Sequence, residues 1–138
     1  MKGNSSMSEQ QPAQPIYNNK RFKVSDYNFE MFIGPRAGDQ VKDYTLTDLK
    51  TGEDVKLTDF KGKWVVIETG SSTCSMYTKN IPDMKEIVDE FPDVEFVIVY
   101  VREAHPGERM GPHQNMDEKL SAANLVAPRY GEHRRVLV

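Results

Sequence analysis

Residues 64–77 read Trp-Val-Val-Ile-Glu-Thr-Gly-Ser-Ser-Thr-Cys-Ser-Met-Tyr. A run of branched apolar residues, Trp64 to Thr69, climbs into a Gly-Ser-Ser-Thr turn and delivers Cys74, the one cysteine of the chain. An amphipathic pattern begins just beyond. That order describes a buried strand handing a nucleophile to the start of a helix. The unbroken apolar run predicts burial on both faces, as in a parallel sheet covered by helices.

On the C-terminal side, Thr78 or Asn80 can cap a helix that tolerates Pro82 in its first turn. Met84, Ile87, Val88 and Phe91 then fall at i, i+3, i+4 and i+7, one inward stripe. Pro92-Asp93 ends it, and Val94 to Val101 is a second buried strand. Strand, helix and strand at this spacing form a right-handed βαβ unit. A loop rich in Pro and Gly, Arg102 to Gln114, leads to a second helix, Asn115 to Leu125, with Met116, Leu120 and Ala123 inward. Arg135 to Val138 reads as a third strand. The chain stops inside it, so the expected domain is cut short after this strand, or its edge is completed by a second copy as a homodimer.

On the N-terminal side, Tyr44–Leu49 and Asp54–Leu57 alternate around Lys50-Thr51-Gly52-Glu53, the pattern of a β-hairpin. Residues 1–31 form an arm. Its first fifteen are polar and read as disordered, while Tyr17, Phe22, Val24, Tyr27, Phe29, Met31 and Phe32 could pack on the domain. The domain itself runs from 32 to 138. The fold class is α/β, a thioredoxin-like order preceded by a hairpin.

With 138 residues and 38% hydrophobic content the chain fits one domain. A net charge of -3 gives no reason to expect a nucleic-acid partner. No apolar run approaches the ~18 residues a transmembrane helix needs, and no secretory h-region opens the chain, so a cytoplasmic protein without membrane contact is expected. The histidine spacings match no compact zinc pattern, and no metal is expected. No phosphate-binding glycine loop or nucleophile elbow is present.

Cys74 sits where loop amides and a helix macrodipole stabilise a thiolate, with the hydroxyls of Ser71, Ser72 and Thr73 able to donate to it. Most lone cysteines are small buried hydrophobes, but this approach is too polar for a core slot. Position 77 is Tyr77, so there is no Cys-x-x-C pair, and an oxidised Cys74 must be restored by an external thiol reductant. No other cofactor is expected. Side chains at the carboxyl ends of neighbouring parallel strands converge, which brings Tyr100-Val-Arg-Glu-Ala-His105 beside Cys74. Glu103 and His105 could form an acid/base pair, the carboxylate orienting the imidazole, with His113 as a second proton donor. A solvated loop and a turn histidine before Pro106 are the plainer readings, and the residues alone leave both open. His133, between Glu132 and Arg134, reads as a surface residue.

Three segments in this order carry a resemblance: Gly70-Ser-Ser-Thr-Cys74, Tyr100-Val-Arg-Glu-Ala-His-Pro106, and His113-Gln-Asn-Met-Asp-Glu-Lys-Leu-Ser-Ala-Ala123. From about Phe32 to Val138 the chain resembles the iodothyronine deiodinases and their bacterial deiodinase-like relatives, thioredoxin-fold proteins of the peroxiredoxin-like superfamily. The resemblance implies Cys74 as nucleophile, in the place of the family's selenocysteine. It implies Glu103 and His105 in proton delivery, Ser71 and Thr73 in the active-site loop, and Tyr100 and His113 lining or supporting the site. Ser72 stands where several deiodinases have a second cysteine, and Ser75-Met76 replaces a Pro-Pro dipeptide. The implied reaction is thiol-dependent reductive dehalogenation of a small aromatic iodide, slowed by sulfur in the place of selenium. A one-cysteine peroxidase is the alternative. Its Pro-x-x-x-Thr/Ser-x-x-Cys motif is half met, by Ser71 but with Ile67 at the proline position. A non-catalytic thioredoxin-like interaction module is the third reading.

Overall fold

A computed structural model describes residues 20, 21, 23–26 and 34–138. The proposed arm therefore lies almost wholly outside the described residues. Val24, which lies in a short 3₁₀ turn, Val24–Asp26, is exposed.

The hairpin is present as β1 (Thr45–Thr47) and β2 (Asp54–Lys56), antiparallel with Leu46 opposite Val55. Its turn is built by Asp48, whose Oδ1 accepts from the amides of Lys50 and Thr51, and by Gly52 at φ 74°. A 3₁₀ turn, Leu57–Phe60, leads into β3 (Trp64–Gly70). Then come α1 (Ser75–Glu90), β4 (Val94–Tyr100), α2 (Met116–Asn124), a short α3 (Val126–Tyr130) and β5 (Arg135–Leu137). β3, β4 and β5 form a parallel sheet with β4 in the middle.

β4 divides the core by simple alternation. Ile98 and Tyr100 face Tyr77 and Ile81 of α1, Ala123 of α2 and Val126 of α3. Val97 faces the other way, onto Val55, Phe60 and Leu137. The hairpin closes over this second side and also joins the sheet. Thr47 exchanges both backbone hydrogen bonds with Val138, and Leu49 donates to Val136.

Several expectations change. The outer edge of the third strand is not open, because residues 47–49 cover it. Among the described residues the uncovered edge belongs to β3, which pairs with β4 alone. β3 is accordingly not buried on both faces: Trp64 is 83% exposed, and Val66 and Ile67 are also exposed.

Helix α1 starts a turn earlier than its hydroxyl caps suggest, directly after Cys74, which is its N-cap without a side-chain capping bond. Pro82 therefore lies inside the helix. The buried stripe is Tyr77 and Ile81, continued by half-buried Met84 and Val88, while Ile87 and Phe91 are exposed. The inward face thus runs Tyr77, Ile81, Met84 and Val88, at i, i+4, i+7 and i+11, which leaves Ile87 and Phe91 on its flank. In α2, Asn115 caps the amide of Glu118 at 2.9 Å, but Met116, in the first turn, is exposed. α3 went unforeseen, since a five-residue helix is too short to show a period. It ends at Gly131 in the left-handed region, φ 74°.

Candidate functional site

Gly70 pairs with Tyr100 at the carboxyl ends of β3 and β4, and Val101 N–H donates to Gly70 O at 3.0 Å. The loops that leave these two strands therefore meet, as parallel neighbours require. Cys74 closes the first loop with its N–H on Ser71 O (3.0 Å), and its own carbonyl accepts from Thr78 N–H and Oγ1–H. The thiol is half-buried against the core cluster of Tyr77, Ile98 and Tyr100.

Thr73 is the junction between the two loops. Its N–H and Oγ1–H both donate to Glu103 Oε2, at 3.0 and 2.7 Å. Its Oγ1 accepts from the His105 amide at 3.0 Å, and its carbonyl lies 3.1 Å from His105 Nδ1. A carbonyl can only accept, so that bond requires Nδ1 to carry the proton. Glu103 is only 3% exposed. Its other oxygen takes the Tyr100 phenol in a very short hydrogen bond. Burial, with the Glu103 carboxylate beside it, raises the Tyr100 pKa above the ordinary tyrosine value, so the phenol remains a protonated donor.

The carboxylate thus reaches the imidazole through Thr73, and the contact seen at the ring nitrogen is the Thr73 carbonyl. The three hydroxyls expected to serve Cys74 instead bind the scaffold. Ser71, fully buried, accepts from Ala104 N–H at 3.1 Å. Ser72 donates its hydroxyl to Ala122 O and its N–H to the Tyr100 oxygen, while its carbonyl accepts from the Tyr130 phenol. Thr73 gives its proton to Glu103. His113 is 6% exposed at the approach to α2. His105 is exposed and, with Thr73, lines a cleft of about 550 Å³ whose other walls are Arg21, Pro106, Gly107, Glu108, Arg109 and Met110. Among the described residues, no cluster of His, Cys, Asp and Glu could hold a metal ion. No helix there is long and apolar enough to cross a membrane.

A second buried group surrounds the Tyr77 phenol, and no local sequence pattern marks it. Tyr77 donates to Glu132 Oε2 at 2.7 Å, and Arg134 binds Glu132 through Nε and Nη2, both at 2.9 Å. Burial alone would raise the Glu132 pKa, but the Arg134 guanidinium and Tyr77 phenol outweigh it and hold the carboxyl below its ordinary value. His133 between them is exposed, as expected, yet its neighbours are core residues.

Known proteins share the fold and place the chain in a family. The thioredoxin domain of a thiol-disulfide oxidoreductase from Bacteroides vulgatus superposes with a TM-score of 0.56 at 19% identity, covering 75% of this chain and 64% of that one. The fold is thioredoxin-like. The type II iodothyronine deiodinase of Fundulus heteroclitus is 31% identical over 93 residues, 56% of this chain and 35% of that protein. A chloroplastic protein of Arabidopsis thaliana that carries a glutathione peroxidase name is 30% identical over 82 residues, 59% of this chain and again 35% of that protein. The chain thus spans about a third of the length of these curated relatives. The family model for iodothyronine deiodinase matches residues 18–137, nearly the whole chain. With that match, and with the thioredoxin-like fold beneath it, the chain belongs to the iodothyronine deiodinase family of oxidoreductases.

Proposed function

We propose that Cys74 removes iodine from a small aromatic iodide and is restored by an external thiol. The observation that carries this reading is Thr73, which places the residue before the nucleophile in direct hydrogen bonds with both Glu103 and His105. The Cys74 thiolate attacks the iodine, the carbon–iodine bond breaks toward carbon, and that carbon takes a proton. The products are the deiodinated ring and a sulfenyl iodide on Cys74. A thiol then displaces iodide to give a mixed disulfide, and a second thiol releases Cys74 as the oxidised disulfide of the reductant. In sum, the aryl iodide gains two electrons and a proton, and two thiols supply them.

The chain's own residues provide the proton. His105 lines the cleft with its ring held on the Thr73 carbonyl, and it is the group that delivers the proton to the ring carbon. Glu103 and Tyr100 hold Thr73 in register and form a hydroxyl-to-carboxylate path beneath it. His113 is a second, buried proton source at the approach to α2. A reducing compartment such as the cytoplasm suits both the unpaired cysteine and the need for thiol.

The likeness to the Arabidopsis protein supports a second reading, a one-cysteine peroxidase in which the Cys74 thiolate takes the terminal oxygen of a peroxide. The two separate in one experiment. The purified chain is given dithiothreitol with either an iodotyrosine or iodothyronine, or hydrogen peroxide. Iodide release that disappears in Cys74→Ser is expected. Peroxide consumption without iodide release rejects dehalogenation in favour of the peroxidase, and silence in both leaves a non-catalytic module.

A further inference from the structure

A dithiol oxidoreductase of the Cys-x-x-C kind carries its second cysteine at the position that Tyr77 occupies here, and no step of the proposed reaction uses this tyrosine. Its placement is nevertheless tightly specified. The side chain is 2% exposed, and its ring lies on Gly70 so closely that a Cβ there would stand 2.6 Å from Tyr77 Cγ. Only glycine fits at position 70. Gly70 ends β3 and Tyr77 sits in the first turn of α1, so one ring holds together the two ends of the loop that bears Cys74.

The phenol is itself anchored. Glu132 accepts it at 2.7 Å and is gripped on both oxygens by Arg134. The remaining arm of Arg134 reaches Glu68 Oε2 at 2.5 Å, on β3 two residues before Gly70. Side chains of Glu132 and Arg134 are 0% and 1% exposed. The path Gly70–Tyr77–Glu132–Arg134–Glu68 therefore leaves β3 and returns to it, passing through α1 and the approach to β5. Its charge-assisted bonds centre on the buried Glu132–Arg134 pair and its ring contact on Gly70, which leaves this part of the path little freedom to shift.

We propose that Tyr77, held by Glu132 and Arg134, is a positioning residue that fixes the Cys74 loop between Gly70 and the first turn of α1. The inference rests on Cys74 being the reacting thiol. A loosened loop frees this half-buried sulfur from the core cluster while disturbing the loop whose Thr73, next to Cys74, holds His105. Reactivity toward a small unselective reagent should therefore rise as productive turnover falls. A general loss of stability has no such opposed signature.

The test compares wild type, Tyr77→Phe, Glu132→Gln and the double variant, far below their thermal midpoints. Iodoacetamide alkylation of Cys74 is followed by mass spectrometry, beside thiol-driven iodide release. Alkylation needs no assumption about the substrate, so it reads loop positioning even if dehalogenation itself is rejected. Tyr77→Phe is expected to raise the alkylation rate about threefold or more and to lower kcat by a similar factor at unchanged KM. Glu132→Gln can still accept the phenol on its oxygen but gives up one prong of the Arg134 grip, so it should fall between wild type and Tyr77→Phe, and the double variant should be no worse than Tyr77→Phe alone. Should Tyr77→Phe not fold, Arg134→Lys, which loses the two-pronged grip on Glu132, is read in its place with the same expectation. Wild-type alkylation rates in a folded variant, whatever its melting point, overturn the proposal.

Discussion

Among the described residues are two buried tyrosine–glutamate pairs, Tyr100–Glu103 and Tyr77–Glu132, and they are built for different tasks. Around Glu103 the donors are hydroxyls and an amide: Tyr100, Thr73 Oγ1 and Thr73 N–H. Around Glu132 the donors are a guanidinium, a phenol and the amides of His133 and Arg134. Hydroxyl protons can be passed along and returned, and the Glu103 group opens through Thr73 toward an exposed histidine and a cleft. A guanidinium keeps its protons, so the Glu132 group has charge balance and no exchange. The first pair suits proton supply, and the second suits support.

Removing the guanidinium is the strongest way to break this contrast. Arg134→Ala leaves Glu132 buried without its cation and should cost about 3–5 kcal/mol in urea unfolding at neutral pH. The pH dependence follows from the sign of the shift. Glu132 is held below its ordinary value of 4.5, so its wild-type contribution is complete above that pH and is lost as pH falls through the lower folded value. In the variant burial is opposed only by the Tyr77 phenol and the backbone amide of residue 134, so the balance moves toward the protonated acid. The gap between the two proteins should therefore be widest near neutrality and close in acid. A gap that widens on acidification contradicts the role given to Arg134.

Glu103→Gln asks the opposite question of the other pair. An amide cannot accept both hydroxyl protons as the carboxylate does, and turnover should fall about 100-fold. Stability should suffer less than in Arg134→Ala, and equal turnover in the two variants would erase the distinction. Gly70→Ala forces the Tyr77 ring to move and should cost about 1–3 kcal/mol. The smallest effect is spectroscopic. Burial and the paired carboxylates raise the pKa of both Tyr77 and Tyr100, so each keeps its stabilising neutral form below the ordinary value of 10.0 and beyond it. Alkaline titration at 295 nm should show these two ionising only as the chain unfolds, and Tyr77→Phe and Tyr100→Phe should each remove one late chromophore.

The pairs also differ in how far the sequence betrays them. Tyr100 and Glu103 are three residues apart at the end of a strongly apolar strand, so strand convergence alone brings them to Cys74. The hairpin and the β3–α1–β4 unit were legible for the same local reason, since period and turn chemistry reside in neighbouring residues. Tyr77 and Glu132 lie 55 positions apart, and Glu132 and Arg134 flank a histidine in a segment that reads as charged surface. Nothing local separates a solvated Glu-His-Arg from one in which both flanking residues turn inward. The exact role of Thr73 was hidden similarly, because its backbone carbonyl, which no sequence pattern marks, holds His105. The onset of α1 carries no sequence mark either, because its N-cap is Cys74, which makes no side-chain capping bond.

The most direct test of the account is iodide release from an iodothyronine by the purified chain under dithiothreitol, wild type beside Cys74→Ser. Steady release by wild type and only the uncatalysed rate in Cys74→Ser is the predicted result. Equal release by the two proteins, or none from either, contradicts the assignment of Cys74 as a dehalogenating thiol.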